Sequence, residues 1–117
     1  MYQKDLSINN YSGKPKPNVL AVGWLSKDHP FTRGTTDPDI VTELKHRPIV
    51  NICMGSHDCE FCNYATYKEY HDNGASGNGE IIVKSKSGIY YVMPSLVVHY
   101  IEAHNYRLPL EVEEALK

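Results

Sequence analysis

The chain has 117 residues, of which 41% are hydrophobic and 22% charged, and its net charge at pH 7 is −2. This length allows one domain with a single core, and the composition is that of a globular protein rather than a disordered one. The slightly acidic balance provides no general electrostatic attraction to nucleic acids or to anionic membranes. No apolar run approaches the roughly 20 residues needed to cross a bilayer, and the polar N-terminal sequence lacks the apolar stretch of a signal peptide. We therefore expect a cytoplasmic protein.

The N-terminal third of the sequence predicts an irregular arm, a strand and a helix. Residues 1–17 are interrupted by proline and glycine, so we expect a flexible arm ahead of a single domain over residues 18–117. The segment NVLAVGWL, residues 18–25, is rich in branched and aromatic side chains and predicts a strand. In the segment TTDPDIVTELKHR, a threonine or Asp37 can cap a helix whose first turn holds Pro38.

The rest of the chain predicts short strands alternating with helices. In chain order these are a strand IVNICM (49–54), a short helix within NYATYKEYH (63–71), a flexible glycine-rich loop DNGASGNG (72–79), a hairpin of EIIVK and GIYYVM (80–93), a helix starting at Pro94 and a short terminal helix in PLEVEEALK (109–117). This order predicts an α+β fold, with a small antiparallel or mixed sheet and two to four helices in a single domain.

The stretch NICMGSHDCEFCNY, residues 51–64, concentrates one histidine and three cysteines. Cys59 and Cys62 have the C-x-x-C spacing that lets two thiolates face one zinc ion. His57 precedes Cys59 by two residues, so an extended backbone would place both side chains on one face. A disulfide framework would leave one of the three thiols over, and Cys53 lies in an apolar segment that favours a core position. The stretch therefore predicts a zinc site with His57, Cys59 and Cys62 as local ligands.

A structural zinc site needs a fourth ligand, and the late helix offers His99 and His104 in the segment HYIEAH. One possible set of ligands consists of His57, the two cysteines and one of these helix histidines. The other consists of Cys59, Cys62 and both helix histidines, with His57 supporting them from outside. The first set is favoured because three of its ligands are neighbours in sequence and cost little chain entropy to gather. In both sets Zn²⁺ would tie the cysteine-containing loop to the late helix.

Other readings of the same residues are a pair of buried core cysteines and an enzyme active site. A thiol oxidoreductase would use Cys59 as nucleophile and Cys62 as resolving thiol. A zinc hydrolase would leave one metal position open for water and use Glu60, Glu102 or Asp58 as general base. The signatures of zinc deaminases and of zincins both fail here, because the proline before C-x-x-C and the H-E-x-x-H spacing are absent.

Several motifs resemble a family of short, uncharacterised bacterial proteins that share a G-W-L start, a G-x-H-x-C-x-x-C centre and an H-Y-x-x-x-H-x-Y segment near the end. The resemblance extends from about residue 20 to residue 113. The matching positions are Gly23, Trp24, Leu25, Gly55, His57, Cys59, Cys62, His99, Tyr100, His104, Tyr106 and Pro109. Leu108 stands where the family pattern has a proline. The resemblance implies no activity, but it places the H-x-C-x-x-C motif and the two helix histidines in one protein family.

Together these patterns predict a small zinc-binding domain with a structural metal site. We expect a protein-interaction, regulatory or immunity-type module rather than an enzyme, with a thiol oxidoreductase or a zinc-dependent hydrolase as the alternative. A protein partner is favoured over nucleic acid because lysine and arginine, 12 residues, do not outnumber the 14 acidic residues. No membrane association is expected.

Overall fold

A computed structural model describes residues 2–9, 15–52 and 56–117 of the chain. The elements in these ranges are β1 (Val19–Ala21), α1 (Pro38–His46), β2 (His57–Asp58), α2 (Tyr67–Asp72), β3 (Ser76–Gly77), β4 (Glu80–Lys84), β5 (Tyr90–Pro94), α3 (Val97–His104) and α4 (Leu110–Leu116). They form one globule with two small sheets, which confirms the predicted α+β class. No helix in these ranges has both the length and the apolar character needed to cross a membrane.

The main sheet is mixed and has the order β1-β5-β4. Its centre is β5, which runs parallel to β1 and antiparallel to β4, so the predicted hairpin is confirmed. Side chains alternate between the two faces of the sheet. Val83 and Met93 point into the main core, whereas Val92 packs with Ala21 and Trp24 on the other face. The helices α1 and α4 contact each other, and α1 also packs against α3.

Residues 2–9, which lie within the predicted arm of residues 1–17, are hydrogen-bonded to β1. Their backbone runs antiparallel to β1. The amide of Leu6 donates to the carbonyl of Ala21 at 2.8 Å, and Asn9 donates to Val19 at 2.9 Å. Proline and glycine in the predicted arm lie after this stretch. These bonds cover the edge of β1, which would otherwise expose unpaired backbone groups.

The helix α1 begins where its capping signal predicted. The Asp37 carboxylate accepts a hydrogen bond from the amide of Asp39 at 2.9 Å, and Pro38 is the first helical residue. The prediction that α3 starts at Pro94 was wrong, because Pro94 is the last residue of β5. A strand tolerates proline there because its neighbour Glu80 directs its own backbone N–H and C=O to Val50, on the opposite side. No strand partner therefore needs an amide hydrogen from Pro94.

Three predicted boundaries differ from the structure. The strand expected over 18–25 ends at Ala21, just before Gly23 takes a left-handed φ of 77°. In the predicted strand 49–54, the described residues contribute only an isolated bridge between Val50 and Glu80, and Cys53 and Met54 lie outside the described residues. The predicted loop 72–79 contains a strand, β3, which pairs antiparallel with β2.

The segment from β2 to β3, residues 57–77, leaves the main sheet, and we call it the excursion. Its two strands pair with each other and not with the main sheet. Its helix α2 has no buried residue, although the Thr66 hydroxyl caps it by accepting from the Glu69 amide. The excursion contacts the rest of the protein through Cys59 and Ala75, which are buried in the main core, and through the partly buried rings of Phe61, Tyr64 and Tyr70.

Candidate metal centre

Four potential metal ligands come together between the excursion and α3. They are Cys59, Cys62, His99 and His104, and their ligand atoms all lie within 4.8 Å of one another. The Sγ atom of Cys62 lies 3.3 Å from His99 Nε2 and 3.5 Å from His104 Nε2. The Sγ atom of Cys59 lies 3.4 Å from His104 Nε2. This group could hold a metal ion.

The pairing of β2 with β3 fixes the first cysteine. The amide of Cys59 donates to the carbonyl of Ala75 at 2.7 Å, immediately after the two-residue strand β2. Cys59 is 1% exposed, so its thiol points into the protein. The second cysteine is held through its backbone, because the Tyr70 hydroxyl of α2 donates to the Cys62 carbonyl at 3.2 Å. All elements of the excursion thus contribute to the position of the two thiols.

The two histidines approach the cysteines from either side of α3. They are five positions apart, which on an ideal helix places them about 140° apart. Tyr100 lies between them around the helix, and it is 1% exposed beneath the cysteine loop. The rings of His99 and His104 nevertheless converge to a centroid distance of 5.0 Å. His104 is the last helical residue, followed by Asn105 in the left-handed conformation that ends α3.

Phe61, one of the two residues between the cysteines, packs the loop onto the helix. Its ring lies 5.9 Å from the ring of Tyr100 and 5.3 Å from that of His104. It also meets Phe31 edge-on at 5.3 Å. This role of Phe61 was not predicted from the sequence. The signal for it was the presence of an aromatic residue between the two cysteines of C-x-x-C.

Burial sets the protonation of the site. Burial raises the pKa of the Cys59 thiol to about 11, with the neighbouring Cys62 adding to the effect. Burial lowers the pKa of His99, and the charge of His104 lowers it further. The pKa of His104 is lowered by burial and then by the positive charge of Arg33. Near neutral pH both imidazoles are therefore uncharged, with a lone pair free for a metal.

The chain was also compared with known families, curated proteins and solved structures. A family model described as "Domain of unknown function (DUF7919)" matches residues 1–117. The chain belongs to this family. Membership confirms the part of the sequence resemblance that concerns a family of uncharacterised proteins. Neither a curated protein nor a solved structure matches the chain.

In this DUF7919 chain, His57 does not belong to the group of four ligand atoms. It lies in β2 opposite Gly77, is half-buried, and has a pKa lowered chiefly by that burial. The favoured ligand set of the sequence analysis included His57 and only one helix histidine. The structure instead brings together the alternative set, with both helix histidines. Among the other predicted positions, Gly55 lies outside the described residues.

The three acidic residues considered as general bases for a hydrolase are Glu60, Glu102 and Asp58, and two of them form contacts with other residues. The carboxylate of Glu102 forms an ion pair with Lys45 at 3.0 Å. Glu60 accepts hydrogen bonds from the Lys27 amide at 3.2 Å and from the Ser26 hydroxyl at 3.4 Å. Asp58 lies in β2, with one buried carboxylate oxygen that has no partner among the described residues. Two of the three carboxylates are thus engaged in contacts away from the thiols.

Proposed function

We propose that this domain binds one zinc ion through Cys59, Cys62, His99 and His104, and that the ion is structural. The observation that carries the proposal is the spacing of the ligand atoms. With Zn–S near 2.3 Å and Zn–N near 2.05 Å, a tetrahedral angle places sulfur and nitrogen about 3.5 Å apart. The three S···N distances of 3.4, 3.3 and 3.5 Å agree with this edge length.

The donor set favours zinc over harder or more highly charged ions. Two cysteines and two histidines are a frequent ligand set of structural Zn²⁺, whereas Mg²⁺ and Ca²⁺ prefer oxygen ligands. Two thiolates would balance the charge of the ion, so the partly buried site would carry no net charge. Because burial raises the pKa of Cys59 to about 11, a metal is the group that would stabilise its thiolate.

A structural role follows from the number and origin of the ligands. Four protein ligands fill a tetrahedral site and leave no position for the water that a hydrolase needs. Cys62 and His99 are 37 positions apart, and Cys59 and His104 are 45 apart. The ion would therefore fasten the excursion to α3, in addition to the apolar contacts of Cys59, Ala75 and Phe61 with the core.

The same geometry disfavours the thiol oxidoreductase. A nucleophilic cysteine needs a lowered pKa, usually from a cation or a helix N-terminus. Burial instead raises the pKa of the Cys59 thiol, and α2 begins only at Tyr67, five residues after Cys62. The reduced thiols required by a zinc site fit a reducing compartment, which supports a cytoplasmic location as part of the proposal.

We further propose that the domain serves as a protein-interaction module of regulatory or immunity type. Its mildly acidic charge and its exposed apolar side chains, such as Ile52 at 66% and Leu110 at 65%, support a protein partner rather than nucleic acid.

The metal proposal is tested by elemental analysis of protein purified without added metal and without a histidine tag. We expect about one zinc per chain and, after replacement with Co²⁺, the absorption of a tetrahedral thiolate-ligated ion. Cys62→Ser and His99→Gln should each reduce the affinity by at least about tenfold. His57→Gln should retain normal affinity, with the exposed His71→Gln as its matched control.

Three results would contradict the proposal in different ways. Protein that purifies without metal and does not bind Co²⁺ would exclude the metal site altogether. Loss of binding in His57→Gln, with normal binding in His99→Gln, would instead establish the ligand set that contains His57. A site that binds zinc together with a small anion at the metal would support the hydrolase alternative.

A further inference from the structure

A cavity of about 280 Å³ lies beside the metal centre, outside the four ligands. The loop 27–31 and Arg33 form one side of it, and Phe61 from the cysteine loop forms the other. Its volume lies just below the range of typical small-molecule sites, about 300–1,000 Å³. The cavity therefore suits a small ligand rather than a large cofactor.

Basic side chains gather at this cavity although the chain as a whole is slightly acidic. Lys27, His29 and Arg33 all line it, and all three are exposed to solvent. Neither Lys27 nor Arg33 forms an ion pair with any of the described residues. Of the neighbouring acidic residues, Asp28 lines the cavity, while Glu60 accepts hydrogen bonds from the Lys27 amide and the Ser26 hydroxyl. Two permanent cations thus remain available to a ligand.

The guanidinium of Arg33 is held by an aromatic ring. Its central carbon lies 4.5 Å from the centroid of the Phe31 ring, within the range of a cation–π contact. The N–H groups of this guanidinium form no ion pair with the described residues, so they remain available as donors. Those donors have the fork geometry that binds two oxygens of a phosphate or a carboxylate. The ring therefore orients Arg33 without neutralising it.

The lining of the cavity includes two phenylalanine rings that connect it with the metal centre. Phe31 meets Phe61 at a centroid distance of 5.3 Å, and Phe61 meets the His104 ring at the same distance. Both phenylalanines are half-buried, so part of each ring faces the cavity. A ligand with a flat apolar body would cover these ring surfaces, and its anionic group would reach the cations at the rim.

We propose that this cavity binds a small molecule that carries an oxyanion, a phosphate or carboxylate group, on a flat apolar body. Arg33 binds the oxyanion through two N–H groups and Lys27 adds a second positive charge. The rings of Phe31 and Phe61 pack against the body of the ligand. The site is separate from the four metal ligands, and the proposal does not depend on the identity of the metal.

The test is a calorimetric titration of the protein as isolated with phenyl phosphate, benzoate, inorganic phosphate and phenol. We expect saturable binding of phenyl phosphate or benzoate at one molecule per chain and no saturable binding of phenol. Inorganic phosphate should bind more weakly than phenyl phosphate because it lacks the apolar contact. The tighter of the two aromatic anions identifies the source of the oxyanion, a phosphate ester or a carboxylic acid.

Variants at the rim test the assigned residues. Arg33→Gln should weaken binding by about tenfold or more, because it removes charge-assisted hydrogen bonds. Arg33→Lys should recover part of the loss, and Lys27→Gln should have a smaller effect. Lys86→Gln, an exposed lysine in the turn between β4 and β5, is the matched control and should bind normally.

Arg33 is exposed, so its variants should fold, and equal thermal unfolding midpoints would verify this. The proposal is overturned if none of the anions binds saturably in the millimolar range. It is also overturned if phenol binds as well as benzoate, or if Arg33→Gln and Lys86→Gln have the same affinity.

Discussion

Removal of the metal should release the excursion while the main sheet remains folded. In the proposed site, the ion cross-links positions that are 37 to 45 residues apart. A cross-link over loops of this length contributes about 4 kcal/mol of loop-closure entropy relative to a fully unfolded chain, which is the upper limit for release of the excursion alone. The strands β2 and β3 pair only with each other and α2 buries no residue, so the contacts that oppose opening are mainly those of Cys59, Ala75 and the partly buried aromatic rings with the core. A loss of about 4 kcal/mol corresponds to an increase of about 1,000-fold in the population of the open segment.

Amide hydrogen exchange, with and without EDTA, measures this effect at individual residues. The reporters in the excursion are the Cys59 amide, bonded to Ala75, and the Ala75 amide, bonded to Tyr70. The reference in the main sheet is the Val22 amide, which donates to the Val92 carbonyl at 3.0 Å. We expect EDTA to accelerate exchange by up to about 1,000-fold at the reporters and far less at the reference.

A control variant separates loss of the metal from other effects of the chelator. Cys62→Ser should show fast exchange at the reporters already without EDTA, and EDTA should then change little. Equal acceleration at the reporters and at Val22 would refute the reasoning, since the metal would then hold the whole domain. Unchanged exchange at the reporters would show that the excursion is stable without the ion.

Two further predictions concern groups on either side of the helix α3. Tyr106→Phe removes the hydroxyl that donates to the half-buried Asp5 carboxylate at 2.7 Å, and urea unfolding should show a loss of about 1–3 kcal/mol. For the metal-free protein, urea unfolding at several pH values should show stability falling as the pH drops below about 6.5. The reason is that burial lowers the pKa of His57, His99 and His104, so the unfolded chain takes up protons that the folded chain does not. The raised pKa of Asp5 acts in the opposite direction. A flat profile between pH 7.5 and 5.5 would contradict the assignment of the net effect to the three histidines.

The sequence was informative wherever a short stretch determines its own conformation. The capping signal around Asp37 and Pro38 placed the start of α1 because the cap bond is local. The hairpin of β4 and β5 was predicted from two segments, EIIVK and GIYYVM, that flank a short turn, in which Gly88 takes a φ of 89°. The C-x-x-C pair was likewise recognisable because its two thiols need only a local turn to face one ion.

The remaining features depend on contacts that the local sequence does not specify. The choice between His57 and a second helix histidine is set by how the pair of strands β2 and β3 docks on α3. The order of residues 2–9 depends on backbone bonds to β1, and such bonds carry no side-chain pattern. The prediction that Pro94 starts a helix was wrong for a similar reason. A strand tolerates proline when the proline needs to donate no hydrogen bond, and the local sequence does not show which side of the strand carries those bonds.

The mixed sheet also determines when this protein can fold during its synthesis. The strand β1 has its parallel partner in β5, where Val19 pairs with Tyr90. The Asp5 carboxylate is hydrogen-bonded to Tyr106, 101 positions later in the chain. On the ribosome, the early apolar strand must therefore wait until the residues around 90–106 have emerged. Folding of this kind, dominated by contacts between distant parts of the chain, is slow compared with that of helical bundles. A nascent chain that stalls before β5 would expose β1 without its sheet partner and would be prone to aggregate or to bind chaperones.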